Sequence, residues 1–269
     1  LGFSVSENNF NGKGINLSTS LSLSEDAIKG SFGFTHPNFA YSDRDLSTSI
    51  ESTSTDKISD FGYKSSLNKF SLGTRYEQFD NLFFSPSFSI SNEKIKVTSD
   101  ASSAYQKQKG TYFDTSFAYG LNFDSRNSSF QPTKGFISYW NQEIPIVSDD
   151  QALYNSYNFS NYSELFDDVV LSSSFLIRSI NSLSDKDVRV SKRLYIPSSR
   201  LRGFASGKVG PKDGNDFIGG NYVSSFNMSS TVPYLFQTLE NIDLKLFFDA
   251  GSVWGVDYSK SINDSGKIR

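Results

Sequence analysis

Arg202 stands in Leu201-Arg202-Gly203-Phe204, inside a long connection of about residues 183–221 that carries Arg, Gly and Lys. A guanidinium presents a planar fork of donors that can take a carboxylate through two parallel hydrogen bonds. The strand-like run that follows, Ile242 to Asp249, offers such a carboxylate. Successive side chains of a strand point to opposite faces. Ile242, Leu244, Leu246 and Phe248 therefore share one face, and Asp243, Lys245, Phe247 and Asp249 share the other. The candidate chemistry is an ion pair between the loop arginine and the strand, with Asp249 as the first partner and Asp243 as the weaker one. In a partly desolvated interior such a pair is stronger and more specific than one on the surface.

Other chemistry fares poorly. The chain has no cysteine, so disulfides, thiolate metal sites and cysteine nucleophiles are excluded. Its single histidine, His36, precedes Pro37 at the end of an apparent strand, and no Ser or Asp motif accompanies it; an enzyme is not expected. Asp149-Asp150 and Asp167-Asp168 fall in turns and read as solvated. Asp213-Gly214-Asn215-Asp216 supplies too few ligands to assert calcium, so no metal is expected. Gly207-Lys208 is not a phosphate loop, because Arg202 stands where that pattern needs glycine and Val209 replaces Ser or Thr. A net charge of −3 without a basic run argues against nucleic acid. No cofactor is implied.

The elements that would position Arg202 and its partner are strands. Helical periodicity is nearly absent. Leu1, Phe3 and Val5 alternate with Gly2, Ser4 and Ser6. The same pattern recurs over 15–23, 28–35, 113–123 and 169–178, where Val169, Leu171, Phe175 and Ile177 oppose Ser172, Ser174 and Arg178. Noisier extended segments cover 46–54, 61–79, 83–97, 136–146, 154–166 and 222–232. The total is about 12 strands, long enough to cross a bilayer on a tilt, which takes about 9–11 residues each. Hydrophobic residues make up 36 % and no window approaches a transmembrane helix. Transmembrane strands give lipid only alternate residues and average out as polar, so that absence is no argument for solubility. The 15 % aromatic content suits aromatic girdles, although a secreted all-β domain would show it too. Short turns (Ser24–Ala27) are expected at one rim and longer loops (55–60, 98–111, 183–218) at the other. Trp140 and Trp254 are candidates for an interfacial belt or for ordinary packing.

Four motifs, in order, carry a family resemblance: Asp124-Ser125-Arg126-Asn127 with Pro132-Thr133-Lys134-Gly135; Leu201-Arg202-Gly203-Phe204; Gly219-Gly220-Asn221 closing the loop; and Phe248-Asp249-Ala250-Gly251-Ser252-Val253-Trp254. Together they resemble the Omp85 superfamily of outer-membrane barrels, and most of all its BamA-like branch, as do Asn9-Phe10-Asn11-Gly12-Lys13-Gly14 and His36-Pro37-Asn38-Phe39. The resemblance implies an all-β fold, a transmembrane antiparallel β-barrel in which this chain supplies about 12 of a presumed sixteen strands. Residues 1–269 would be part of one barrel domain with a luminal loop at about 183–221. It further implies folding and insertion of β-barrel proteins in a Gram-negative-type outer membrane, without ATP. The implied partners are unfolded barrel substrates, lipid and accessory assembly lipoproteins, and Arg202 would hold the loop against the inner wall. Gly203, Gly219 and Gly220 read as turn glycines, and Gly203 is further expected to let Phe204 and the backbone pack closely on that wall. Such chains usually carry Glu where this one places Ser229, so a second acidic partner for Arg202 is expected to be missing. The chain is expected to be part of a longer protein, without its POTRA domains and terminal strands. A TamA-like or two-partner-secretion translocator, a passive porin or adhesin barrel, and a secreted all-β domain remain alternatives.

Overall fold

A computed structural model describes residues 1–58, 62–99, 101, 103–167, 169–213, 216–232 and 244–257. Ten strands run in succession: β1 (Gly2–Phe10), β2 (Ile15–Leu23), β3 (Ala27–His36), β4 (Asp45–Lys57), β5 (Tyr63–Phe79), β6 (Leu82–Val97), β7 (Gly110–Asp124), β8 (Gly135–Ser148), β9 (Ala152–Phe166) and β10 (Val169–Ser182). Two short pieces, β11 (Lys212–Asp213) and β12 (Asp216–Phe217), pair inside the long connection. β13 (Tyr222–Val232) and β14 (Leu244–Trp254) complete the set. Twelve of these strands form one sheet in the order β1 through β10, then β13 and β14. The antiparallel all-β architecture expected from the alternation is thus observed, and its strand limits lie within a few residues of the expected ones. Ile242 and Asp243 lie outside the described residues. Among the described residues no helix is long and apolar enough to cross a membrane, which has no bearing on crossing by strands.

Backbone contacts group the chain into two compact units. The first comprises Leu1–Gly120, Gln142–Tyr154 and Asn181–Lys192; the second comprises Leu121–Asn141, Asn155–Ile180 and Arg193–Arg269.

In the first unit, register places apolar side chains opposite one another. Phe32, Ile50, Phe70 and Ile90 form one rung across β3 to β6, and Phe34, Thr48, Leu72 and Phe88 form the next. All four residues of the first rung are more than a third exposed. A face this apolar and this open has no place in water; it is the lipid side of a transmembrane wall. In the other direction the same face turns polar at once, with Ser52, Asn68 and Asn92, then Ser54, Ser66 and Lys94. The intervening residues, such as Glu51, Lys69 and Ser91, occupy the opposite face. Tight turns are made by residues that tolerate positive φ, such as Asn81 (φ 64) between β5 and β6.

The expected division of short turns and long loops between two rims is observed in part: the three longer loops share an end, but the short turn does not stand opposite them. The connections at 24–26, 58–62, 98–109 and 183–221 each follow an even-numbered strand, so in an antiparallel order all four leave the same end. The other end also mixes lengths, from 80–81 to 125–134. Strand parity, not loop length, decides the end at which a connection lies.

The face assignment is testable. Leu72→Arg should cost about 2–4 kcal/mol of unfolding free energy in lipid vesicles, and Lys69→Ser within about 0.5 kcal/mol, because only the first buries a charge in hydrocarbon. Denaturant titration of the complete protein measures both, and equal effects would contradict the assignment.

Candidate functional site

In the second unit, β10, β13 and β14 set one polar rung. Ser174 lies opposite Asn227, and Asn227 lies opposite Asp249. Cross-strand neighbours share a face, so all three point to the side away from Phe226, Met228, Leu246 and Phe248, which are well exposed. The connection between β10 and β13 returns over this polar face. A bridge between Leu194 and Gly220 closes it, with Leu194 N–H donating to the Gly220 carbonyl and Gly220 N–H to the Leu194 carbonyl, both at 2.9 Å. Ile196, Leu201, Val209 and Ile218 are buried in the same segment.

Arg202 meets Asp249. Its Nε donates to Oδ2 and its Nη2 to Oδ1, each at 2.7 Å, and its backbone N–H adds a bond to Oδ2 at 3.1 Å. The guanidinium also lies over the Phe247 ring, 3.7 Å from its centroid. Asp249 is 3 % exposed at its side chain and Arg202 40 %. The hydrogen bonds that it donates to the Asp249 carboxylate hold the Arg202 guanidinium above the ordinary arginine range. Asp243 lies outside the described residues. The pair is intermediate between a surface pair worth at most about 1 kcal/mol and a buried pair whose breaking costs about 3–5 kcal/mol. Losing Arg202 would strand a nearly buried carboxylate.

The remaining motif residues have distinct places. Gly203 has φ +82, and a Cβ there would meet nothing within 4 Å; Phe204 is 46 % exposed. The expected tight packing at Gly203 is therefore corrected: glycine is needed for its left-handed backbone. Gly220 is the close-approach glycine, since a Cβ would come within 2.5 Å of the Trp254 carbonyl oxygen. Gly219 has φ +72. Asn221 is buried and donates through Nδ2 to Asp257 Oδ1 at 2.7 Å. Gly251 lies beneath Ile196. Trp254 stacks on Tyr222 at 5.7 Å. Ser229 bonds Ser172, hydroxyl to hydroxyl at 2.7 Å, and lies opposite Phe247. The residue beside the Arg202–Asp249 pair is instead Asn227, whose Nδ2 donates to Asp249 Oδ1 at 2.8 Å. Ser229 lies two residues further along β13, on the same face. His36 Nδ1 lies 2.9 Å from the Pro37 carbonyl oxygen, and its ring meets Phe39 edge-on.

A second arginine in the same connection, Arg189, is the larger surprise. It belongs to the first unit and is 1 % exposed. Its Nε donates to Asp150 Oδ2 at 2.7 Å, Nη1 to Glu93 Oε2 at 2.9 Å and Nη2 to Asp114 Oδ2 at 2.8 Å, with a further bond to Asp150 Oδ1. Tyr112 lies under the guanidinium, 4.2 Å from it. Lys192 Nζ is 3.1 Å from Asp114 Oδ2, and Ser191 Oγ donates to Glu93 at 2.9 Å. Burial alone would lower the Arg189 pKa, but the hydrogen bonds and charges of Asp150 and Asp114 outweigh it and hold the group above the arginine range. Asp150 is thus not a solvated turn carboxylate, as Asp149-Asp150 suggested; it is buried against Arg189. Asp149 accepts from the Phe113 N–H at 2.9 Å. Asp167 is exposed as expected, and Asp168 lies outside the described residues. Sequence reasoning missed Arg189, and one signal was available: Glu93 shares an alternate set with Ser89 and Ser91, and Asp114 shares one with Ser116, so an acid stands on each serine-bearing face.

No catalytic constellation appears among the described residues, and no group of three metal-ligating side chains does either. Fold and site together define a class: a transmembrane β-barrel wall with a long loop clamped onto its polar face by arginine–carboxylate contacts. A family model described as the Omp85 superfamily domain matches residues 9–269, and the chain belongs to that superfamily. It is similar to BamA from Haemophilus ducreyi, solved lacking POTRA domains 1–3, with a TM-score of 0.83 at 20 % identity, over 94 % of this chain and 55 % of that one. CdiB from Acinetobacter baumannii is similar with a TM-score of 0.57 at 12 % identity, over 94 % of this chain and 46 % of that one. At these identities the likeness shows the fold. Among curated proteins, the human sorting and assembly machinery component 50 homolog is 26 % identical over 175 residues, 60 % of this chain and 36 % of its own length. A SAM50-like protein of Schizosaccharomyces pombe is 29 % identical over 172 residues, 58 % of this chain and 35 % of its own. The chain thus spans about a third of the length of these relatives.

The Arg189 cluster predicts its own mutant. Arg189→Met leaves three buried carboxylates facing one lysine, which should cost about 3–5 kcal/mol in a denaturant titration. A loss below about 1 kcal/mol would show that the carboxylates find other partners.

Proposed function

We propose that this chain forms part of an outer-membrane barrel that assists the folding and insertion of β-barrel proteins, without a nucleotide or cofactor. The observation that carries the reading is the docking of Arg202 on Asp249 within an Omp85-superfamily wall. A clamped loop supports an assembly role better than a passive pore, because it places ordered protein on the polar face that an open channel would leave to water. The apolar outward rungs supply the lipid contact. Sheet edges pair with incoming strands through main-chain hydrogen bonds, a recognition that needs no substrate sequence. The substrates would be unfolded barrel proteins, and accessory lipoproteins are partners by family analogy. The membrane would be an outer one. The named relatives come from human and fission yeast and the structural neighbours from bacteria, so the reading extends to bacterial and organellar outer membranes alike.

Arg202→Ala or Asp249→Ala in the complete protein should each lower insertion of a reporter barrel by at least about tenfold in reconstituted vesicles, the weight of about 1.4 kcal/mol. The double variant should be no worse than the poorer single one, because residues in contact are not additive. Strictly multiplicative losses would remove the pair from the mechanism.

A further inference from the structure

Two residues before Arg202, on the far side of buried Leu201, Arg200 reaches the wall by a route of its own. Nη2 donates to Asn158 Oδ1 on β9 at 2.9 Å, and Nη1 donates to Ser174 Oγ on β10 and to Asn227 Oδ1 on β13, the latter at 3.3 Å. One guanidinium thereby ties the loop to three strands that are neighbours in the sheet order. Its acceptors are all neutral; among the described residues none of the ion pairs involves Arg200. Burial lowers its pKa, and the charge of Arg178 lowers it further. A half-buried cation with neutral acceptors is costly to keep, so ion-pair stability does not account for it.

Asn227 joins the two arginines. Its Oδ1 accepts from Arg200 Nη1, while its Nδ2 donates to the Arg200 carbonyl oxygen at 2.8 Å and to Asp249 Oδ1 at 2.8 Å. Asp249 in turn holds Arg202. The amide has one acceptor end, which meets Arg200, and two donor hydrogens, which meet the Arg200 carbonyl and Asp249 and so bridge the two halves of the clamp. A carboxylate at 227 could not donate to Asp249, and an apolar residue could do neither.

We infer that Arg200 is a second positioning residue of the loop, coupled to the Arg202–Asp249 pair through Asn227. It fixes where Leu201-Arg202-Gly203-Phe204 sits along the wall, whereas Arg202 supplies the charge contact. The inference rests on the reading that the docked loop serves barrel assembly, but docking can be measured without assembly. The chain has no cysteine, so Leu201→Cys, at a position 1 % exposed in the docked loop, reports undocking by its rate of reaction with a water-soluble maleimide.

In the complete protein in vesicles, Arg200→Gln should speed labelling of that cysteine by about tenfold, the scale that three lost hydrogen bonds of modest net worth allow. Arg200→Lys should rise with it, because an ammonium cannot fork to three strands. Adding Asn227→Leu to Arg200→Gln should give no more than the faster single variant. Heat-modifiable mobility, which reads the folded barrel, should not change in any of them. Labelling at the parental rate in Arg200→Gln overturns the inference; so does parental labelling in Arg200→Lys, which would mean that charge alone holds the loop, and so does a double variant equal to the product of the singles. Reporter insertion scored in parallel separates the two claims: undocking with undiminished insertion sinks the functional reading and leaves this inference standing.

Discussion

A strand that crosses a bilayer can give lipid only one of its two faces, and the fate of the other face governs the rest of this molecule. Polar groups turned inward need partners, because an unmet buried donor or acceptor costs about 1–3 kcal/mol. Near one another in the sheet, serine and asparagine side chains satisfy one another across strands, as Ser89 with Ser116 and Ser172 with Ser229 do. Carboxylates accept from such groups too, but their charge is costly to bury unless a cation stands beside it. Glu93, Asp114, Asp150 and Asp249 therefore depend on cations brought from elsewhere in the chain, and the 183–221 connection brings them.

The two clamps differ in kind. Arg189 is 1 % exposed and surrounded by three carboxylates and a tyrosine ring, so its release would strand several charges at once. Arg202 keeps 40 % of its side chain open and relies on one carboxylate and one ring. Arginine rather than lysine is required at both, because each uses at least two nitrogens in fixed directions.

Much of this was legible beforehand, for reasons that can be named. Period-two alternation located nearly every strand, and the alternation from Ile242 to Asp249 placed Asp249 on the face that Arg202 reaches. Register was not legible. Without it, the pairing of Asn227 with Asp249 could not be read, and the short turn at 24–26 was set at the rim opposite the long loops, whose end it shares. Arg189 was invisible for the same reason: its partners at 93, 114 and 150 lie as far as 96 residues away in sequence, and only the sheet order brings them together. Asp150 misled because an acidic pair in a turn usually faces water. Gly203 was recognised as special, but its backbone angle rather than its packing sets the requirement.

The central claim is that the Arg202–Asp249 contact serves to hold the loop on the wall, so a covalent tie should replace it. Arg202→Cys and Asp249→Cys, each alone, should insert reporter barrels poorly in vesicles. The pair joined by a short thiol cross-linker with a cleavable disulfide should recover insertion, and cleavage of the link should abolish the recovery. A cross-linked barrel as inactive as either single variant would contradict the account, because docking would then be shown insufficient.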